Sequence, residues 1–194
     1  MRSALVAIIA VSAASTAMAR QAIPESQCMI FLDAVRSPTP RFADFPARAE
    51  RIGRPATIDL KSNPAAGQFR TVLRRASRKG PDFAGRFTLA TFGCGAGSLC
   101  WEIVDGRSGR VISTQPHEIW SGHVGDLQPK PATGVTDQFA MRYRLDSTLL
   151  ILLGAPDEDA ALEGVNYYRF NGRGLDLVKH VPIARACRNV IQND

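Results

Sequence analysis

From Phe83 to Val181 the chain repeats one pattern: a short run with apolar side chains at alternate positions, a tight turn, and a second such run. "FAGRFTLATFG" is one strand. "WEIVDGRSGRVIS" is two strands around Asp105-Gly106-Arg107-Ser108-Gly109, "FAMRYRLDSTLLILLGA" is two around Asp146-Ser147, and "NYYRFNGRGLDLVKHV" is two around Asn171-Gly172. A period of two places one set of side chains on a single face of a sheet, and Asn, Asp, Gly and Ser supply the turn conformations. About seven strands joined this way predict an antiparallel meander. Upstream, "SNP" at 62–64 starts a helix that runs through "AAGQFRTVLRRASRKG" to Gly80-Pro81, with Phe69, Val72, Leu73 and Ala76 on its buried stripe. The expected fold class is α+β, a twisted meander with one amphipathic helix packed on it; a small β-barrel is the alternative. The chain is too short for a propeller of ordinary four-stranded blades.

The first residues are of a different kind. "MRSALVAIIAVSAASTAMARQ" has a basic start, an apolar run from Ala4 to Val11 and an Ala17-Met18-Ala19 site. That order predicts a secretory signal peptide over 1–19, cleaved after Ala19. No apolar lipobox precedes Cys28, so no lipid anchor is expected, and no later run is long enough to span a bilayer. The protein is therefore expected in the periplasm or outside the cell. Residues 20–56 are rich in Pro, Arg and Ala without a helix or strand period and read as an extended arm, pinned by Phe31, Phe42 and Phe45, before a single domain over 57–194. The formal charge of +6 in an exported protein points to anionic envelope components rather than to nucleic acid.

Four cysteines, Cys28, Cys94, Cys100 and Cys187, make an even count in an oxidising compartment. "GCGAGSLC" lacks the C-x-x-C redox spacing, and neither Cys28 nor Cys187 has a close partner that would build a zinc site. Of the three connectivities, the spacing favours Cys94 with Cys100 as a small loop and Cys28 with Cys187 as a tie between the arm and the C-terminal tail.

"GPDFAGRFTLATFGCGAGSLCWEIVDGRSGRV", residues 80–111, resembles a pattern of the form GPNFAGHY, GCG, C, IVD and TG-V found in a family of small secreted bacterial proteins. "YRLDSTLLILLGA" and "YYRFNG" extend the likeness more weakly. The resemblance implies export and brings no activity with it. Asp82 and Arg86 stand where the pattern has Asn and His.

Two groups of side chains are candidates for function. Arg70, Arg74, Arg75 and Arg78 project from the polar side of the helix, either as a solvated basic face or as guanidinium forks for phosphate or carboxylate. The long non-periodic stretch from 114 to 138 carries His117, Glu118, Trp120, His123 and Asp126, and a loop of that length is commonly functional. Its H-E-x-x-x-x-H spacing lacks the i, i+4 histidine pair of zinc peptidases, there is no G-x-S-x-G, and "PDEDAALEG" reads as a solvated acidic turn. No metal, cofactor or catalytic residue is expected. The sequence thus points to a non-catalytic binding protein, of which an inhibitor or immunity-type partner is one form, acting on another envelope protein or an anionic envelope component. The alternative is a small envelope hydrolase with a His/carboxylate site in the 114–138 loop.

Overall fold

The computed structural model describes residues 28–127 and 134–189; the expected signal peptide, the first residues of the arm and positions 128–133 of the long loop lie outside them. The elements in chain order are β1 (Cys28–Ile30), α1 (Pro64–Gln68), α2 (Arg70–Ser77), β2 (Phe87–Gly95), β3 (Ser98–Asp105), β4 (Val111–Ile112), β5 (Glu118–Trp120) and β6 (Thr136–Gln138). There follow β7 (Met141–Tyr143), β8 (Leu149–Pro156), β9 (Gly164–Phe170), β10 (Leu175–Pro182), α3 (Ile183–Ala186) and β11 (Cys187–Asn189). A nine-stranded antiparallel sheet in the order β10-β9-β8-β5-β3-β2, with β4 on β3 and β6-β7 on β8, curls into a half-barrel. Its end strands β10 and β2 do not pair with each other among the described residues, so the closed barrel is not formed. The expected α+β meander is the fold, with each of the seven expected strands present.

Three departures from the sequence reading matter for function. The 114–138 stretch is not one loop: it holds β5 and β6, and β5 joins the two halves of the sheet by pairing β3 at Leu99↔Ile119 and β8 at Trp120↔Ala155. The helix is interrupted at Phe69, whose backbone leaves helical geometry and whose ring stacks on Phe92 of β2, centroids 4.1 Å apart. "ATIDL", residues 56–60, which on its sequence is a short strand candidate, forms no strand of its own; only Asp59 makes a bridge, to Arg110.

Alternation along β2 and β3 explains the layering. Phe87, Leu89, Trp101 and Ile103 face the main core with the buried residues of β8 and β9, while Ala90 and Val104 face a smaller core under α2, formed with Ile58, Ala66, Leu73 and Val111. The hairpin is thus covered on both faces. β1 pairs with β11 at Ile30↔Cys187, and Ile30 also exchanges backbone hydrogen bonds with the 123–125 segment, which fastens the arm's first residues to the end of the chain.

Candidate functional site

The arm lies across the sheet because its backbone is hydrogen-bonded to the turns it crosses. Ala47 N donates to Asp146 O at 2.8 Å, Glu50 N to Gly85 O at 2.8 Å, Ala56 N to Gly106 O at 2.9 Å and Asp59 N to Gly109 O at 2.8 Å. Ser147 Oγ is 2.9 Å from the carbonyl oxygens of both Phe42 and Phe45, and those two rings pack on the main core. Phe31 contributes at the other end, where its ring lies against Gly125 and under the Arg188 guanidinium. The close approach depends on two glycines with φ in the left-handed region. A Cβ on Gly85 (φ 88°) would overlap the Arg48 carbonyl, and one on Gly109 (φ 74°) would overlap the Thr57 carbonyl. "FAGRF" and "DGRSG" are therefore seats for the arm as well as turns.

Seated there, the arm presents Arg48, Arg51 and Arg54 to solvent beside Arg107 of the β3–β4 turn and Arg74 and Arg78 of α2. These side chains line two hollows, of about 790 and 480 Å³, which adjoin at Arg54 and Ala56 and are together termed the arginine cleft. Its single carboxylate, Glu50, is engaged by Arg107 at 2.6 Å and by Arg86 at 3.7 Å. Arg48, Arg51, Arg54, Arg74 and Arg78 have no carboxylate within ion-pair distance among the described residues.

The helix face expected to act as one patch is divided. Arg74 and Arg78, a helical turn apart, face the arm; Arg75, on the next stripe with Lys79, lines a different cavity; Arg70 is exposed and lines neither. The three arm arginines were missed by the sequence reading. The signal that could have found them is the R-x-x-R-x-x-R spacing of Arg48, Arg51 and Arg54 in a segment too rich in proline to bury them.

On the other flank of α2, the cavity lined by Arg75 and Lys79 measures about 370 Å³ and has Asp82 and Tyr143 at its floor, with Thr88, Thr91 and Gln138 around them. Asp82 Oδ1 accepts the Leu89 N–H at 2.9 Å, and Oδ2 lies 3.4 Å from the Tyr143 hydroxyl. Burial pushes the Asp82 carboxyl up to about 6, against the opposing pull of those hydrogen bonds and of the Lys79 charge. Burial and the facing carboxylate push the Tyr143 phenol upward as well.

The cysteine loop is a staple. Cys94–Cys100 and Cys28–Cys187 are both closed, with Cα atoms 5.7 and 5.4 Å apart, and no cysteine is free. The Glu118 carboxylate lies 3.6 Å from Cys94 Sγ, but both sulfurs of that trio are spent in the disulfide and offer no thiolate to a metal. The loop is also the β2–β3 turn, with Gly95 paired to Ser98.

The loop histidines are held separately. His117 Nδ1 is 3.1 Å from Asp157 Oδ1, and His123 Nδ1 is 2.5 Å from Glu163 Oε1, with the Trp120 ring edge-on to His123 at 5.2 Å between centroids. Each imidazole therefore has its own carboxylate, from the two ends of the acidic turn after β8. The third histidine, His180, bonds through Nδ1 to Asn166 Oδ1 at 2.9 Å on the β9–β10 hairpin, and burial lowers its affinity for a proton. Asp126 accepts the Leu32 N–H at 2.8 Å and so serves the arm.

Comparison with family models, with curated proteins and with solved structures finds no match to this chain.

Proposed function

We propose that this chain is a non-catalytic, extracytoplasmic binding protein that holds a phosphate-bearing anionic envelope lipid in the arginine cleft between the arm and α2. The observation that carries the reading is the convergence of Arg48, Arg51 and Arg54 from the arm with Arg74 and Arg78 from the helix side, around hollows whose one carboxylate, Glu50, is already paired with Arg107 and Arg86. Like charges brought together on a fold are unfavourable in the absence of a counter-charge, and guanidinium forks suit phosphate oxygens bidentately. Both closed disulfides agree with an oxidising compartment, and no described helix is long and apolar enough to cross a membrane.

The test is co-sedimentation with vesicles of phosphatidylcholine alone and with phosphatidylglycerol added. Arg54→Gln/Arg74→Gln/Arg78→Gln removes three charges without disturbing a buried contact. At about 1 kcal/mol per basic residue near an anionic surface, it is expected to weaken binding roughly a hundredfold, and raised salt to weaken it further. Arg173→Gln, at the exposed β9–β10 tip outside the cleft, is expected to leave binding nearly unchanged. Equal loss in both variants, or equal binding to neutral vesicles, would refute the cleft as the site.

A further inference from the structure

The second cavity beside α2 shares no lining residue with the arginine cleft and has a different chemistry. Its floor is a concentration of oxygen groups that exchange hydrogen bonds in both directions. Beside the Asp82 carboxyl and the Tyr143 hydroxyl, Gln138 Nε2 donates to Thr91 Oγ1 at 2.5 Å, which leaves the Gln138 carbonyl oxygen and the Thr91 hydroxyl hydrogen for a ligand. Thr88 Oγ1 donates to Gly80 O at 3.0 Å and keeps its acceptor lone pairs. The rim is cationic: Arg75 and Lys79 stand exposed one turn apart on the helix side. Two positive groups above one carboxylate leave the cavity with a surplus positive charge, and at about 370 Å³ it lies at the small end of ligand clefts, which span about 300–1,000 Å³. Val72, Ala76 and Leu89 provide the apolar part of the wall.

We infer that this cavity binds a single-ring sugar bearing one acid group, with its hydroxyls on Asp82, Thr91 and Gln138 and its carboxylate or phosphate between Arg75 and Lys79. A carboxylate beside hydroxyl and amide side chains matches vicinal hydroxyls, each of which donates to one partner and accepts from another. A lone inorganic anion would engage only the rim, and a neutral sugar only the floor. The inference does not depend on the lipid reading, because the residues that decide it are different.

Titration calorimetry on the full mature chain with glucuronate, glucose 6-phosphate, glucose and inorganic phosphate tests this. Glucuronate, glucose 6-phosphate or both are expected to bind, with glucose and inorganic phosphate each at least about tenfold weaker. Which acidic sugar binds more tightly assigns the acid group. Asp82→Asn keeps an oxygen for the Leu89 N–H but places an amide N–H where the second oxygen accepts, so it is expected to weaken the acidic sugars at least about tenfold. Arg75→Gln/Lys79→Gln, an exposed pair whose loss leaves the core intact, is expected to do the same. Arg54→Gln/Arg74→Gln/Arg78→Gln is expected to leave sugar binding unchanged even where it abolishes vesicle binding. Absence of binding by both acidic sugars, inorganic phosphate binding as tightly as glucose 6-phosphate, or affinity indifferent to Asp82→Asn would each overturn the inference.

Discussion

Replacing Cys28 and Cys187 together by serine is expected to lower the stability of the folded chain by about 5 kcal/mol, a large part of the roughly 5–15 kcal/mol that holds a folded domain together. The bond spans 159 residues of sequence, and in the loop-entropy description its constraint on the unfolded chain grows with that length. The short Cys94–Cys100 bond, separated by 6 residues, is worth about 2 kcal/mol on the same scale. The native side of the balance points the same way. Cys28 and Cys187 sit in β1 and β11, a pair of only three residues each, whereas Cys94 and Cys100 staple the end of a long β2–β3 hairpin that is covered on both faces. Urea unfolding of the two double-serine variants measures both. A midpoint that falls equally in each, or further for Cys94→Ser/Cys100→Ser, would contradict the assignment of the long bond as the main tie.

What the sequence made legible follows the range of the forces involved. Strands β2–β4 and β7–β10 announce themselves because period-two alternation and turn chemistry are local, and the disulfide pairing because spacing and parity restrict it. β5 could not be read in that way: Glu118–Trp120 is three residues without a period, and it is a strand because β3 and β8 each leave an edge for it to fill. The functional surface has the same limitation. The helix supplies an obvious row of arginines, but whether Arg74 and Arg75 act together depends on the side of the helix along which the arm runs. That is decided by hydrogen bonds from Glu50 and Ala56 to glycine carbonyls far along the chain. Asp82 carries even less local signal. Between Pro81 and Phe83 nothing local marks it, and only the packing of α2 over β2 and the position of Tyr143 make it a half-buried carboxyl.

That half-buried carboxyl gives the second large expected effect, a pH-dependent gain in stability on Asp82→Asn. Asp82 titrates at about 6 in the folded chain against 3.8 for an ordinary aspartate, with burial as the main cause. The folded protein therefore keeps a proton that the unfolded chain gives up. Stability contributed at this position is intact below about pH 3.8, falls as pH rises towards 6, and stays reduced above that. A shift of this size corresponds to a penalty on the order of 2–3 kcal/mol at neutral pH. Asparagine has nearly the same shape, still accepts from Leu89 N–H and has no charge to desolvate. The variant is thus expected to melt several degrees above the parent at pH 7.5 and at the same temperature near pH 3.5, with the difference opening between those limits. Subtracting the two melting curves removes the titrations common to both proteins, so the window reports on Asp82 alone. A difference that does not change with pH would mean that the fold leaves this carboxyl unshifted, and a variant less stable only at pH 7.5 would mean that the carboxylate is stabilised in the fold and that the Tyr143 hydrogen bond outweighs burial. The expected outcome has a functional corollary: a position where the chain is less stable with its native residue than with a close isostere is one where the charge serves something other than folding, and here that charge lies at the floor of a polar cavity.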